Sequence, residues 1–272
     1  MKYIYLAFTI VFFTACTDVI EIPLEEGPKR LVIDANINWI KGTSGNEQAI
    51  KLTETAGYFD TTIPLVHGAT VVIKNSQNTA FDLYEDPMTG IYKTSTFVPV
   101  INEEYTLTVT YNGEVFTATE TLMPVADIEY VEQSVDNVFG GELVKVEFFF
   151  QDPVDEENYY VSQFNYSNDI LFDTYRTQSD KFTNGQLGSV LELDDTFTAG
   201  NQLTLYFYGS SKSHFNYMSL LLDQLSSGGP FGTPPAAVKG NCINTTNPDN
   251  KPLGYFRLSE MVIEPYIIKE FE

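Results

Sequence analysis

The sequence predicts a mostly β protein of two lobes: a small β-sandwich over residues 30–124, then a second β-sandwich-like domain over 125–272 that carries one amphipathic helix. Three observations point there. Short segments alternate apolar and polar residues at period two. Turn residues punctuate them. Aromatic residues make up 14% of the chain, mostly Phe and Tyr, the types that pack well on pleated surfaces. A length of 272 residues accommodates two ordinary domains.

The chain opens on Lys2 and an apolar stretch from Tyr3 to Phe13, interrupted by Thr9. A bilayer-spanning helix takes roughly 20 residues, so this shorter stretch fits the apolar region of a signal peptide. The run FTIVFFTACTD resembles the bacterial lipoprotein cleavage site, where a peptidase cuts before a cysteine whose thiol carries a diacylglyceryl group. Phe13 stands where Leu is usual. The resemblance makes residues 1–15 the signal peptide and Cys16 the lipid attachment site. Each buried acyl methylene contributes about 0.8 kcal/mol, so two or three chains anchor a protein stably without a transmembrane helix. Residues 16–29, acidic and proline-containing, read as a tether. Fully extended, they reach roughly 40 Å; Val19, Ile20, Ile22 and Leu24 could shorten that reach by docking on a sheet.

In the first lobe, RLVIDANINW and GATVVIKN alternate like strands. YTLTVTY (105–111) has one apolar and one threonine face, Asn112-Gly113 is the favoured pair for a type I′ turn, and VFTATET returns from it. EDPMTGIY reads as another turn between strands. The order Val-x-Gly-Ala-x-Val, Gly-x-Tyr, Tyr-x-Leu-x-Val looks like the immunoglobulin or transthyretin-like domains of exported bacterial proteins.

The second lobe begins with LVKVEFFF, YYVSQFNY and QLTLYFYG as strands. SHFNYMSLLLDQLSS then predicts a helix over about 213–227, with Phe215, Met218, Leu221, Leu222 and Leu225 on one face, Ser213 as cap and Gly228-Gly229 as stop. A helix of this kind plugs a sandwich end or covers a sheet face. Residues 228–252 show no apolar period and read as a long loop, which is usually functional or mobile. LGYFRLSEMVIEPYII closes the chain as one or two strands.

Taken in order, these features resemble a Bacteroidetes family of surface lipoproteins classed as a domain of unknown function. The signal and sandwich are followed by Asp-Pro…Glu-Asn-Tyr-Tyr at 152–160, Phe-Asn-Tyr-Met, Gly-Gly-Pro-Phe, Val-Lys-Gly-Asn and Leu-Gly-Tyr-Phe at 253–256. Members are commonly encoded beside TonB-dependent outer-membrane receptors. The resemblance implies an outer-membrane location facing the cell exterior and a β-barrel receptor as partner. It carries no catalytic residues.

The formal net charge is −22, and cleavage after Ala15 would remove Lys2 and no acid. Such a surface repels nucleic acid and anionic headgroups. With Cys16 acylated, Cys242 has no partner for an intramolecular disulfide. Two histidines, His67 and His214, and no clustered His/Cys motif leave no basis for a transition-metal site or a cofactor. The acids at 152, 155, 156 and 157 lack the spacing of a calcium loop and read as a solvated connection, as do Asp194 and Asp195. No Gly-x-Ser-x-Gly elbow is present, and among 37 acids a pair for glycoside hydrolysis carries no signal. Asp60-Thr61-Thr62 fits a short bacterial O-glycosylation pattern of the kind that arises by chance.

Phe231, Tyr255 and Phe256, in or beside the long loop, are the candidates for stacking on a glycan or peptide ligand; core packing is the other role open to Tyr255 and Phe256. The expectation is a non-catalytic lipoprotein, ligand-binding or accessory to a TonB-dependent uptake system. The alternative is a structural or adhesive envelope subunit with no small ligand.

Overall fold

Alternation decides the first strand. In β1 (Leu31–Ile40), Leu31, Ile33, Ala35 and Ile37 are buried on one face, while Asp34, Asn36 and Asn38 lie on the other. The computed structural model describes residues 27–138, 141–154, 156–167, 174–226 and 238–270. Cys16, the signal segment, most of the tether, Asp155, the Gly228-Gly229 stop and Phe231 lie outside them.

The first lobe is built from β1, β2 (Gln48–Glu54), β3 (Thr70–Asn75), β4 (Ala80–Asp86), β5 (Ile91–Thr94), β6 (Glu104–Tyr111) and β7 (Glu114–Met123). Asn112 and Gly113 both take positive φ, 50° and 78°, between the paired Tyr111 and Glu114. That backbone is what a two-residue type I′ hairpin needs.

The second lobe contains β8 (Ile128–Val138), β9 (Gly141–Gln151), β10 (Tyr159–Tyr166), β11 (Thr174–Ser179), β12 (Leu187–Asp194) and β13 (Gln202–Ser210), followed by α1 (Lys212–Ser226). Part of the expected long loop is ordered by β14 (Ile243–Asn244), which pairs with Phe116 and Thr117 of β7. Asp152 is buried and braces its surroundings, accepting from Tyr160 Oη (2.8 Å) and the Gly185 amide (3.0 Å). The expectation of a solvated acidic connection therefore fails at Asp152.

The last strand, β15 (Leu253–Ile267), joins the lobes. It runs parallel to β1 from Val32↔Leu253 to Ile40↔Met261, then antiparallel to β13 from Tyr208↔Met261 to Gln202↔Ile267. It also meets β7 at Leu258↔Leu122. The pairings β1–β2–β5–β4–β3–β6–β7–β15–β1 close on themselves, so the first lobe is barrel-like. Its core takes Cys242, Phe256 and Leu258 from the end of the chain. A boundary at residue 124 divides two cores, yet the first one is completed by residues more than a hundred positions later. Local pattern cannot reveal such a return.

In the second lobe, the three-stranded sheet β12–β9–β8 packs on β11–β10–β13–β15 around Phe148, Phe150, Phe164, Leu205 and Phe207. The helix lies against β10 and β11, on the sheet face away from this core.

Ser211 caps the helix, two residues earlier than Ser213 would. Its Oγ accepts from the His214 amide (3.1 Å), and its carbonyl accepts from the Phe215 amide (2.9 Å). Both serine hydroxyls donate to Glu120 of β7, Ser211 at 2.9 Å and Ser213 at 3.2 Å. Replacing Ser211 by Ala should therefore cost about 1–2 kcal/mol, and Ser213→Ala distinctly less. Urea unfolding checks the order; equal losses would contradict the cap assignment.

Candidate functional site

Volume alone does not pick out the chemically loaded cavity. A groove of about 720 Å³ over β2, β4 and β5 is rimmed by Glu47, Asp82 and Lys93, and none of its lining side chains keeps a buried polar atom without a partner. A cavity of about 640 Å³ between α1 and the face of β1, β15, β13 and β10 differs in that respect.

Its construction follows from strand alternation. Position parity puts Asp34, Asn36 and Asn38 of β1 on the face away from the first core, and Tyr255 and Arg257 of β15 share that face. Asn36 is opposite Arg257, and Asn38 is opposite Ser259. Over this polar floor α1 lays Met218, Leu221 and Leu222. The result is a chamber with an apolar roof and a polar base.

The base holds unpaired chemistry. Arg257 Nη1 and Asn38 Oδ1, both lining the cavity, are shielded from solvent with no hydrogen-bond partner, and Ser259 Oγ beside them is in the same condition. The Arg257 guanidinium lies 4.5 Å from the Tyr208 ring centroid. No carboxylate comes within ion-pair distance of it among the described residues. Burial lowers its pKa, with the nearby hydroxyl of Tyr208 and the carboxylate of Asp34 acting the other way. Tyr208 is itself pushed up to about 12, chiefly by burial. A buried guanidinium with no carboxylate bound to it costs free energy. Tyr208, by hydrogen bond and ring, together with the attraction of Asp34, offsets part of that cost while leaving Nη1 without a partner.

At the end of the chamber under the start of α1, Tyr255 Oη and His214 Nδ1 have partners. Tyr255 Oη donates to Glu120 Oε2 (2.9 Å), and its ring packs on Tyr217 (4.7 Å between centroids) and His214 (5.1 Å). His214 Nδ1 sits 2.8 Å from Ser210 Oγ, and burial holds its pKa down to about 3. Ser210 is 2% exposed and does not line the cavity, so this Ser–His pair presents no nucleophile to it.

Of the three ring candidates, Tyr255 lines the cavity and Phe256 does not. Phe256 is fully enclosed in the first core, on the opposite face of β15, so it has no ring surface to offer a ligand. Phe231 is outside the described residues. Arg257 and Asn38 were not singled out from sequence. A readable signal existed for the first: a lone cation inside the apolar run LGYFRLSEMVI.

The quoted motifs also acquire a physical role. Asn241 Nδ2 donates to the Phe256 carbonyl (2.8 Å), and the Phe256 amide donates to Asn241 Oδ1 (2.9 Å). Gly240 packs so closely on the Gly254 carbonyl that a Cβ there would lie 1.6 Å from it. Val-Lys-Gly-Asn and Leu-Gly-Tyr-Phe thus lock together beside the cavity floor. Among the described residues no group of three or more His, Cys, Asp or Glu side chains is placed to hold a metal. None of their helices is long and apolar enough to cross a membrane.

Comparison with known proteins adds a family and little else. The family described as "Domain of unknown function (DUF4249)" matches residues 17–261. No curated protein matches. Among solved structures, a DUF4785 family protein from Legionella pneumophila aligns at 12% identity over 66% of this chain and 52% of its own, with a TM-score of 0.24. The chain therefore spans about half the length of that protein. A two-domain fibronectin type-III segment from chicken tenascin aligns at 8% identity over 61% of this chain and 86% of its own, with a TM-score of 0.21.

Proposed function

We propose that this chain, which belongs to the family described as a domain of unknown function (DUF4249), is a lipid-anchored, non-catalytic binding protein of the bacterial envelope. Cys16 carries the lipid, the immunoglobulin-like first lobe acts as spacer or docking module, and the cavity under α1 takes the ligand. The observation that carries the reading is the pair of unpartnered polar atoms, Arg257 Nη1 and Asn38 Oδ1, in a chamber otherwise roofed by leucines and methionine.

A ligand that answers this lining has an anionic group for Arg257, a donor for Asn38 Oδ1 and an apolar portion for Met218, Leu221 and Leu222. Of the glycan and peptide classes, a short peptide with a free terminal carboxylate and an apolar last side chain supplies all three. Among the described residues Asp34 is the only carboxylate lining the cavity, whereas glycoside hydrolysis needs two. The lipoprotein-like signal and the Bacteroidetes resemblance support outer-membrane placement beside a TonB-dependent receptor. Co-purification of a β-barrel protein in mild detergent tests that part.

Ligand binding is tested by thermal shift with apolar tripeptides, since a bound ligand raises stability by mass action. Free-acid peptides should raise the melting temperature and their amidated counterparts should not. Arg257→Met should weaken binding about 10–100-fold, the value of a hydrogen-bonded charge pair. It should leave the unliganded melting temperature unchanged or higher, because it removes a buried unpaired charge. Equal shifts with acid and amide, or with Arg257→Met, would overturn the assignment.

A further inference from the structure

The connection between β2 and β3 carries apolar side chains that nothing in the fold requires. Tyr58 is 85% exposed, Phe59 73% and Ile63 64%. Yet the turn that presents the two rings is well tied. The Gly57 amide donates to Asp60 Oδ2 (2.8 Å), and the Asp60 amide donates to the Gly57 carbonyl (3.0 Å). At its base the Glu54 amide donates to the Pro64 carbonyl (2.9 Å). The rings meet edge to face at 5.1 Å, at the tip of the turn with little protein around them.

Their position is informative. The Arg30 amide donates to Thr55 Oγ1 and the Thr55 amide to the Arg30 carbonyl, each at 3.0 Å. Gly27, Pro28, Lys29 and Arg30 share the walls of a cavity of about 470 Å³ with Gly57 and Tyr58. The segment that leads back to Cys16 therefore joins the body beside this turn. Gly27 is eleven positions from Cys16, a reach of at most about 40 Å when extended.

We infer that the Gly57–Asp60 turn is a membrane contact, with Tyr58 and Phe59 entering the headgroup region of the bilayer that holds Cys16. The inference rests on the lipid-anchor reading above and is independent of the cavity. Tyr and Phe have amphipathic or apolar rings suited to that interface. The net charge of −22 opposes approach to an anionic surface as a whole, but screening confines each charge to about 8 Å. Near the turn, exposed Lys29 and Arg30 stand against Asp60. Adhesion is thus apolar and needs no anionic lipid. With the turn seated, the tether fixes the first lobe against the membrane instead of leaving it to swing.

The test uses the chain beginning at Cys16, coupled through that thiol to a maleimide lipid in phosphatidylcholine vesicles containing brominated acyl chains. Cys242 stays out of the coupling, because it is buried and its thiol is pushed up to about 12. With Trp39→Phe to clear the background, Phe59→Trp reports on the turn. Phe182→Trp, at a site 86% exposed in the other lobe, serves as control. The expected result is blue-shifted emission and roughly twofold quenching at position 59 and neither at 182, consistent with burial of 5–10 Å into the interface. Solvent-like, unquenched emission at position 59 would overturn the inference, and so would equal quenching at both positions. Because the anchor is supplied chemically, failure here is distinct from failure of lipidation in the cell. Mass spectrometry of the exported chain's first residue decides the latter.

Discussion

Gly254→Ala should lose about 4 kcal/mol or more of stability, in the range reserved for substitutions that break a packed interior, and lower the melting temperature by roughly 10 °C. Two costs coincide at this position. Its φ is +92°, and a Cβ would lie 2.1 Å from the Ile33 carbonyl oxygen. The clash is with backbone, so no side-chain rotation relieves it; β1 and β15 must separate where their parallel pairing begins. Two other glycines divide these costs. Gly68 has φ +71° and open space around it, so Gly68→Ala isolates the backbone term, about 1–2 kcal/mol. A Cβ on Gly240 would lie 1.6 Å from the Gly254 carbonyl oxygen without an unusual φ, so Gly240→Ala isolates the steric term. Chemical denaturation should rank Gly68→Ala mildest and Gly254→Ala most severe. If Gly254→Ala matched Gly68→Ala, the close approach of the two strands would be disproved. Expected losses at 240 and 254 also predict ligand-site damage, since both flank the floor that carries Arg257.

What was legible in the sequence follows from the range of the forces involved. Period-two alternation is local, so β1, β6, β7, β9, β10 and β13 could be read directly, as could the Asn112-Gly113 turn and the helix face of Met218, Leu221 and Leu222. Ser211 and Ser213 are equally good local cap candidates and both donate to Glu120. What separates them is that the His214 and Phe215 amides donate to Ser211, which places the cap two residues before Ser213. The return of β15 into the first lobe was invisible, since a parallel partner more than two hundred residues away leaves no mark on either segment alone. The same limit governs the site. Tyr255 and Phe256 read alike as aromatics beside a loop, although adjacent residues in a strand face opposite ways. Arg257 takes its meaning from what lies across from it, on β1 and α1. A lone cation in an apolar strand is a signal worth weighing before the fold is known.

Acid should destabilise the protein well above the pH at which its carboxylates protonate, and His214 is the cause. Burial, with a smaller repulsion from Arg257, holds its pKa down to about 3, against 6.5 for a free imidazole. Between these values the unfolded chain binds a proton that the folded chain refuses, so stability is full above pH 6.5 and falls as the pH drops toward 3. The slope approaches about 1.4 kcal/mol per pH unit, or roughly 2–3 kcal/mol lost by pH 4.5. The depressed carboxylates act lower. Glu114, gripped by the amides of Asn247, Asn250 and Asn244, and Glu147, held by Ser189 and Lys145, add losses only below about pH 4.5. Glu192, pushed up by burial, works in the opposite sense and offsets part of the trend. The groups packed on the imidazole are Ser210 at its Nδ1 and the rings of Tyr217 and Tyr255, none of which can neutralise an imidazolium there. Protonation would set a second cation near Arg257, which already repels it, at the joint between α1 and the cavity floor. His214→Asn keeps a polar group near Ser210 and should flatten the stability curve between pH 7 and 4.5 by those 2–3 kcal/mol. In the parent protein, the imidazole resonances of His214 should stay in the neutral form down to pH 4.5. A midpoint near 6.5, or parallel stability curves for the two proteins, would remove His214 as the source and leave any acid lability to the carboxylates.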